Sequence, residues 1–213
     1  MSSQGEKVYE IIRQRIIDQI YLPSQTLVES AIAEELGVSR NTVKKALMQL
    51  VNEKLVDIMA NKRAIVKSLN IEEAVHLLEI RERLEGLIAY TAAEVITDKD
   101  LDIIRHNLVE MKGCLSQNKL KEYSAINDKI HYVIYGVCPN REAIVMIESI
   151  RLQLRRYNKR TILIEGRSND SYKEHEALFS ALEARNSEEA ERIMRKHVSN
   201  VRHVLIENYS MLF

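Results

Sequence analysis

Apolar and polar positions between Glu29 and Val51 repeat with the period of two short amphipathic helices. The apolar side of the first helix consists of Ala31, Ile32 and Leu36. Gly37 follows, where helices commonly end in a left-handed residue, and Ser39 can cap the next helix. The second helix has apolar residues at spacings of three, four and seven, namely Val43, Ala46, Leu47 and Leu50. The pattern predicts a helix, a tight turn and a second helix with one buried stripe.

The other face of the second helix is polar and basic. It carries Ser39, Arg40, Asn41, Thr42, Lys44 and Lys45. Arg can hold guanine and Asn can hold adenine through two hydrogen bonds each, while Lys, Ser and Thr can hold phosphates. These residue types at the start of a second helix predict entry into the major groove of duplex DNA. The alternative is an ordinary helical hairpin with a solvated face.

A short hairpin is predicted directly after these two helices. Apolar positions indicate one strand at residues 55–58 and a returning strand at residues 64–66. The tip between them is polar and basic and contains the candidate DNA contacts Asn61, Lys62 and Arg63. Before the two helices, residues 8–20 have apolar side chains at positions 8, 11, 12, 16 and 20, which predicts a third helix that completes a small core. Together these elements predict a winged helix-turn-helix.

From residue 70 onward, apolar periodicity predicts one helix after another and no strands. The predicted helices cover about residues 70–95, 97 onward, 120–137, 141–163, 171–184 and 187 to near the end, with a loop at 166–168. Thr97 can cap the second of them. We therefore expect a mainly α protein, with a winged helix-turn-helix domain at 1–69 and an all-helical bundle of six to seven helices at 70–213.

Composition narrows the class of protein. The 213 residues are 46% hydrophobic and carry 31 basic and 31 acidic side chains, so affinity for DNA has to come from a local patch. There is no run of about 18 apolar residues and no apolar segment in MSSQGEKVYE, which predicts neither a membrane span nor a secretory signal. The two cysteines suit a reducing compartment. We expect a cytoplasmic protein with no membrane partner.

Histidines mark the candidate chemistry of the helical half. His131, His175 and His197 lie on three different predicted helices, and His197 shares an apolar stripe with its helix neighbours. Facing helices of a bundle can bring such side chains to one buried metal ion. Three imidazoles suit Zn²⁺ or another first-row divalent ion and leave a position open for water or a ligand. The alternative is that each is a histidine with satisfied hydrogen bonds in the core.

The chain resembles the GntR family of bacterial transcription regulators. The family's stretch LAxxLGVSRxTVxxAL reads IAEELGVSRNTVKKAL here, within a match from about residue 16 to 66. The segments EIRERLEGLIAYTAAE, NDKIHYVIY and EHEALFSALEARNSEEAERIMRKH resemble the all-helical FCD effector domain of the FadR-type branch. The chain departs from the pattern at Lys44, where Arg is usual, at Ser30, where a DNA-contacting Arg is common, and at Asn61, where Gly is usual. These departures leave the target sequence open.

The resemblance implies a site in the helical half. Its metal ligands would be Asn127, His131, His175 and His197, holding a divalent ion such as Zn²⁺, with Ni²⁺ or Mn²⁺ as alternatives. Asn127 stands where many members have Asp, so a negative charge is lost and the site should bind metal more weakly or favour an anionic co-ligand. Arg81 would reach a carboxylate effector, because an Arg fork matches two carboxylate oxygens. From the residues alone, Arg81 would instead be a surface side chain paired with Glu82 or Glu85.

These expectations combine into a homodimeric regulator, with repression the favoured outcome, that binds a palindromic DNA operator under the control of a small organic acid, a metal, or both. Two alternatives stay open. One is a metal-dependent hydrolase-like enzyme fused to a DNA-binding domain, for which Glu174 and Asp128 are the acidic candidates for a general base. The other is a constitutive DNA-binding dimer that has no effector.

Overall fold

A computed structural model describes residues 3–60 and 63–212, with Ser3 and Arg156 described by their backbone alone. The chain divides into two compact units, one up to Asn70 and one from Ile71 onward. The first unit contains short strands and the second is all-helical within the described residues. The predicted mainly α fold class, a winged helix-turn-helix followed by an all-helical bundle, is confirmed.

The first unit packs three helices beside a small antiparallel sheet. In chain order its elements are α1 (Ser3–Ile17), β1 (Thr26–Leu27), α2 (Glu29–Leu36), α3 (Arg40–Asn52), β2 (Val56–Ile58) and β3 (Ala64–Val66). The strand order is β1-β3-β2, and β3 pairs with β2 in the register Val56 to Val66 and Ile58 to Ala64. The sequence did not predict β1, because its two residues become a strand only by pairing with β3.

The turn between α2 and α3 forms as predicted. Gly37 has φ 62° and ψ 37°, and its N–H donates to the carbonyls of Ala33 and Glu34. The Ser39 hydroxyl then accepts a hydrogen bond of 3.1 Å from the backbone N–H of Thr42. Both caps satisfy backbone groups that a helix end leaves unpaired. They fix the angle at which α3 leaves α2.

The apolar stripe of α3 is the centre of this unit's core. Val43, Ala46, Leu47 and Leu50 are all buried, as predicted. On α2, however, the buried alanine is Ala33, while Ala31 is exposed, so the predicted apolar side was wrong at one position. The buried side chains of α1 include Val8, Ile12 and Ile17.

The predicted end of α1 at Ile20 is also wrong. The helix ends at Ile17, and Gln19 adopts a left-handed φ of 59°. The N–H groups of Gln19 and Ile20 then donate to the carbonyls of Ile16 and Arg15, which is the hydrogen-bond pattern of a Schellman cap. Ile20 is consequently turned outward and is 64% exposed.

The second unit is a bundle whose helices pack their apolar faces together. Its helices are α4 (Ile71–Val95), α5 (Asp98–Ser116), α6 (Leu120–Val137), α7 (Arg141–Thr161), α8 (Arg167–Glu183) and α9 (Ser187–Leu212). Thr97 caps α5 in a reciprocal capping box with Asp100. The core includes Ile88, Ile104, Met111, Tyr123, Ile134, Leu182 and Met194. None of the helices described in the chain is long and apolar enough to cross a membrane.

One helix boundary in this unit differs from prediction and changes the surroundings of the candidate metal ligands. The segment 166–168 was expected to be a loop, but α8 begins at Arg167, directly after Gly166 in a left-handed conformation with φ 81°. The four additional residues place Arg167 in the first turn of α8. Its side chain is buried there and forms an ion pair with Glu174, two turns further along the same face.

Candidate nucleic-acid interface and metal centre

The candidate DNA-reading face lies on the outer side of α3. Ser39, Arg40, Asn41, Lys44 and Lys45 are exposed there, and Thr42 is half-buried. Ser39 and Thr42 are engaged in the helix cap, with their hydroxyl oxygens 2.9 Å apart. Within the described part of the chain, Arg40, Lys44 and Lys45 form no ion pair with an acidic side chain. Their charges are therefore available to an external anion.

Two sets of charged contacts link the helices of the first unit. Arg15 of α1 binds Glu35 of α2 through contacts of 2.5 and 2.9 Å. At the far end of α3, Glu53 accepts hydrogen bonds from the hydroxyl of Tyr9 and from Arg13 Nε, the latter at 3.3 Å. The first contact ties α1 to α2, and the second ties the C-terminal end of α3 to α1.

One further exposed residue on this face, Met48, was not predicted from the sequence. Met48 lies one turn beyond Lys44 and is 46% exposed, which offers an apolar contact to a thymine methyl group. In the wing, Arg63 is exposed and its carbonyl accepts from the N–H of Met59 across the hairpin. Asn61 and Lys62 lie outside the described residues.

The structure brings the three predicted histidines together in the second unit. His131 of α6, His175 of α8 and His197 of α9 are all buried, and each offers a ring nitrogen within 4.8 Å of the others. Their ring centroids are 4.7 to 5.5 Å apart. Three imidazoles at these separations can hold one metal ion.

Hydrogen bonds engage the Nδ1 atoms of two of the three rings and leave their Nε2 atoms for other contacts. His175 Nδ1 donates to the Ser171 carbonyl at 2.6 Å, and His197 Nδ1 donates to Glu174 Oε2 at 2.6 Å. His131 Nδ1 lies 2.9 Å from Glu85 Oε2, within ion-pair distance. Among the described residues, the Nε2 atoms of His131 and His175 are buried without any hydrogen-bond partner. Buried, unpartnered imidazole nitrogens fit a divalent metal.

The protonation state of the cluster also suits metal binding. Burial lowers the pKa of His131 and of His197 to about 4, and burial lowers the pKa of His175 to about 3. Nearby carboxylates oppose this effect but do not cancel it. The rings are therefore neutral at pH 7, which is the form that donates a lone pair to a metal.

Asn127 and Asp128 precede His131 on α6 and have different surroundings. Asn127 lies one helical turn before His131 and is half-buried. Asp128 forms an ion pair with Arg151, with its Oδ1 2.5 Å from Nη2. The acid next to the candidate ligands is thus engaged with α7, and Asn127 remains the neutral candidate donor on α6.

The buried carboxylate of Glu85 lies beside His131. The sequence alone predicted Glu85 only as a possible surface partner of Arg81. Glu85 is fully buried and accepts from Arg81 Nε at 2.6 Å and from Arg151 Nη1 at 3.4 Å. Although burial raises the pKa of Glu85, the charges of Arg81, His131 and Arg151 outweigh it and hold that pKa well below its usual range. Arg81 is itself only 3% exposed and also donates to Asn158, so the alternative of a surface arginine is wrong about its burial, although not about its partner.

A second carboxylate lies behind His197. Glu174 accepts a two-pronged contact from Arg167 at 2.8 and 3.0 Å, and a hydrogen bond from Asn200 at 2.7 Å. Although burial raises the pKa of Glu174, its bonds with His197 and Arg167 lower it to about 2. Neither Glu174 nor Asp128 is thus placed as an open general base.

Comparison with known proteins gives matches in both units. Residues 4–66 match the model described as bacterial regulatory proteins, gntR family, and residues 76–200 match the FCD domain. The chain is 23% identical over 197 residues to the HTH-type transcriptional repressor RspR of Escherichia coli K12, covering 92% of this chain and 86% of that protein. It is 29% identical over 219 residues to the Uxu operon regulator of Haemophilus influenzae, covering 94% and 81%.

Solved structures share the fold. Escherichia coli McbR/YncC has a TM-score of 0.79 and 18% identity, covering 98% of this chain and 100% of that chain. A putative GntR transcriptional regulator from Rhodococcus sp. RHA1 has a TM-score of 0.76 and 20% identity over 98% of this chain and 100% of that chain. At these identities the likeness concerns architecture alone.

Proposed function

Because this chain belongs to the GntR family of bacterial regulatory proteins, with an FCD domain, and is a DNA-binding transcription regulator, we propose that a metal ion and a small carboxylate bound in its helical unit control its affinity for operator DNA. The observation that carries this proposal is the convergence of His131, His175 and His197, with unpartnered Nε2 atoms on two of them. The family and the named relatives indicate regulation and not catalysis.

The three histidines and Asn127 would hold the metal, with Zn²⁺ favoured because imidazole nitrogens suit it. When bound, the ion supplies a fixed positive charge in a buried place. All four donors are neutral, so both charges of the ion stay uncompensated by its ligands. Around them, the ion pairs of Glu85, Asp128 and Glu174 with arginines are internally balanced. The centre as a whole therefore favours an anionic co-ligand.

A small organic acid meets that requirement. Arg81 lies in the same charged cluster as His131, since both contact Glu85. We assign Arg81 as the contact for the effector's carboxylate, supported by its burial and by its place on α4 beside the histidines. The relatives do not identify the acid.

The DNA side of the proposal uses α3 and the wing. Arg40 and Asn41 would read base edges, while Lys44 and Lys45 would hold phosphates near the capped N-terminus formed by Ser39 and Thr42. Arg63, with Asn61 and Lys62, would contact the backbone or the minor groove. Two copies as a homodimer would place one recognition helix in each half of a palindromic operator. Because it would bind bacterial chromosomal DNA, we expect the protein to be cytoplasmic.

Repression is the favoured outcome, because relatives such as RspR and GlaR of Escherichia coli K12 are named repressors and because occupancy of an operator can block transcription. The effector can change operator affinity only as far as its own affinity differs between the DNA-bound and free forms. A metal that binds both forms equally would stabilise the protein and leave DNA binding unaltered.

A thermal-shift screen of divalent metals crossed with small mono- and dicarboxylic acids tests the proposal. We expect the melting temperature to rise with metal, to rise further when the correct acid is added, and to do neither in the variant His175→Ala. A wild-type protein whose melting temperature responds to no metal and no acid would instead be a constitutive DNA-binding protein.

A further inference from the structure

We propose that Glu174 is a positioning residue, which holds His197 in the one tautomer and orientation that can bind a metal. This inference rests on the metal centre proposed above and adds a residue that does not touch the metal. Glu174 directly precedes His175 on α8, so one dipeptide would serve two ligands, His175 through its own ring and His197 through the carboxylate.

The carboxylate of Glu174 is fully occupied by donors. Its Oε1 accepts from Arg167 Nη1 at 3.0 Å and from Asn200 Nδ2 at 2.7 Å. Its Oε2 accepts from Arg167 Nη2 at 2.8 Å and from His197 Nδ1 at 2.6 Å. Four donors on two oxygens, from two helices, leave the side chain one orientation. The carboxylate is therefore a fixed object against which the imidazole of His197 is aligned.

The identity of the partner determines which nitrogen of His197 is free. An ionised carboxylate can only accept hydrogen bonds, so the proton of the neutral imidazole has to reside on Nδ1. The lone pair is then on Nε2, the one ring nitrogen of His197 that remains to bind a metal. The Ser171 carbonyl imposes the same arrangement on His175, because a carbonyl oxygen also accepts only. Outer partners of this kind commonly orient metal-binding histidines and make them more basic.

The proposed role of Glu174 bears on the lack of a negatively charged side chain among the candidate metal ligands. The candidate fourth donor, Asn127, is neutral, so none of the four side chains that would hold the metal carries a negative charge. The Glu174 carboxylate, which is hydrogen-bonded to His197 Nδ1, would make that imidazole a more basic donor. We therefore expect metal affinity to depend strongly on the charge of Glu174.

The variant Glu174→Gln separates positioning from packing. It keeps the shape of the side chain, but its amide has one oxygen and one NH₂ group. Whichever way the amide is turned, the NH₂ faces a pair of donors, either Arg167 with Asn200 or Arg167 with His197. The matched control is Glu176→Gln, which makes the same change at an exposed position two residues along α8.

The experiment uses the full chain with ¹⁵N-labelled histidine. In metal-free wild type, we expect NMR to show His197 with its proton on Nδ1, and Zn²⁺ titration against a competing chelator to show binding. In Glu174→Gln we expect a mixture of His197 tautomers and about 10- to 100-fold weaker Zn²⁺ binding. Glu176→Gln should match wild type in both measurements.

Three results would overturn the inference. A wild-type His197 protonated on Nε2 would do so without any variant, even if Glu174→Gln failed to fold. If wild type binds Zn²⁺ and Glu174→Gln binds it with the same affinity, Glu174 has no positioning role, although the metal centre itself is supported. A wild type that binds no Zn²⁺ would remove the metal centre and this inference with it.

Discussion

Replacing Glu85 by glutamine should destabilise the helical unit by several kilocalories per mole, although the residue touches no solvent. Glu85 is 0% exposed, and its partners Arg81 and Arg151 are 3% and 8% exposed. Glutamine keeps the volume and can still accept one hydrogen bond. It removes the anion that both guanidinium groups need when they are buried.

The magnitude follows from what each arginine retains. Breaking a buried ion pair by removing one partner costs about 3–5 kcal/mol, because a charge is left buried without compensation. Arg151 would keep Asp128, which is 44% exposed and so partly screened. Arg81 would keep only the neutral amide of Asn158. Since one of the two arginines retains an anion, we expect a value of about 3 kcal/mol, at the lower end of that range.

Urea unfolding followed by circular dichroism measures this difference. With a slope of about 1–3 kcal/mol per molar urea, a loss of about 3 kcal/mol lowers the midpoint by about 1–3 M. The control is Glu79→Gln on the same helix, where the carboxylate is 52% exposed and pairs with Arg202. That change should cost no more than about 0.5 kcal/mol. A loss below about 1 kcal/mol in Glu85→Gln would refute the view that the two arginines depend on this carboxylate.

Three further predictions concern the DNA face and the histidines. Arg40→Ala should leave the protein folded but reduce its preference for operator over random DNA by about 1–3 kcal/mol, measured by competition gel shift; an unaltered preference would remove Arg40 from base recognition. His175→Ala should lower the metal bound per chain, measured by elemental analysis. Without metal, the free energy of unfolding should fall as pH drops from about 6.5 toward 4. In this range histidines of the unfolded chain bind protons, whereas the buried His131 and His197 of the folded chain stay neutral until about pH 4. His175→Ala should make that fall shallower, and an equal slope would contradict the burial of a neutral His175.

Local features of the first unit could be predicted from the sequence because local chemistry determines them. Gly37 and Ser39 end one helix and begin the next through bonds to residues three or four positions away. The stripe of α3 follows from helical spacing alone. The left-handed backbone of Gln19 could not be predicted, because glutamine does not indicate that conformation. A glycine at this position would have indicated it.

The charged groups around the histidines could not be predicted, because they depend on which helices are neighbours. Arg81 and Glu85 have the spacing of a surface ion pair on one helix, and only the packing of α6 and α7 against α4 shows that both are buried. Arg167 was assigned to a loop, so its pairing with Glu174 was not expected. The one sequence signal for Glu174 was its position directly before His175, a candidate metal ligand.

The most direct test of regulation through this centre is the affinity of the full chain for a duplex that it selects from random sequences. Affinity should be measured with chelator and with saturating Zn²⁺ and a carboxylate that passes the thermal-shift screen. We predict a difference of at least about fivefold for wild type, in the range typical of coupling between sites, and none for His175→Ala. Equal wild-type affinity under both conditions would contradict control of DNA binding by the helical unit.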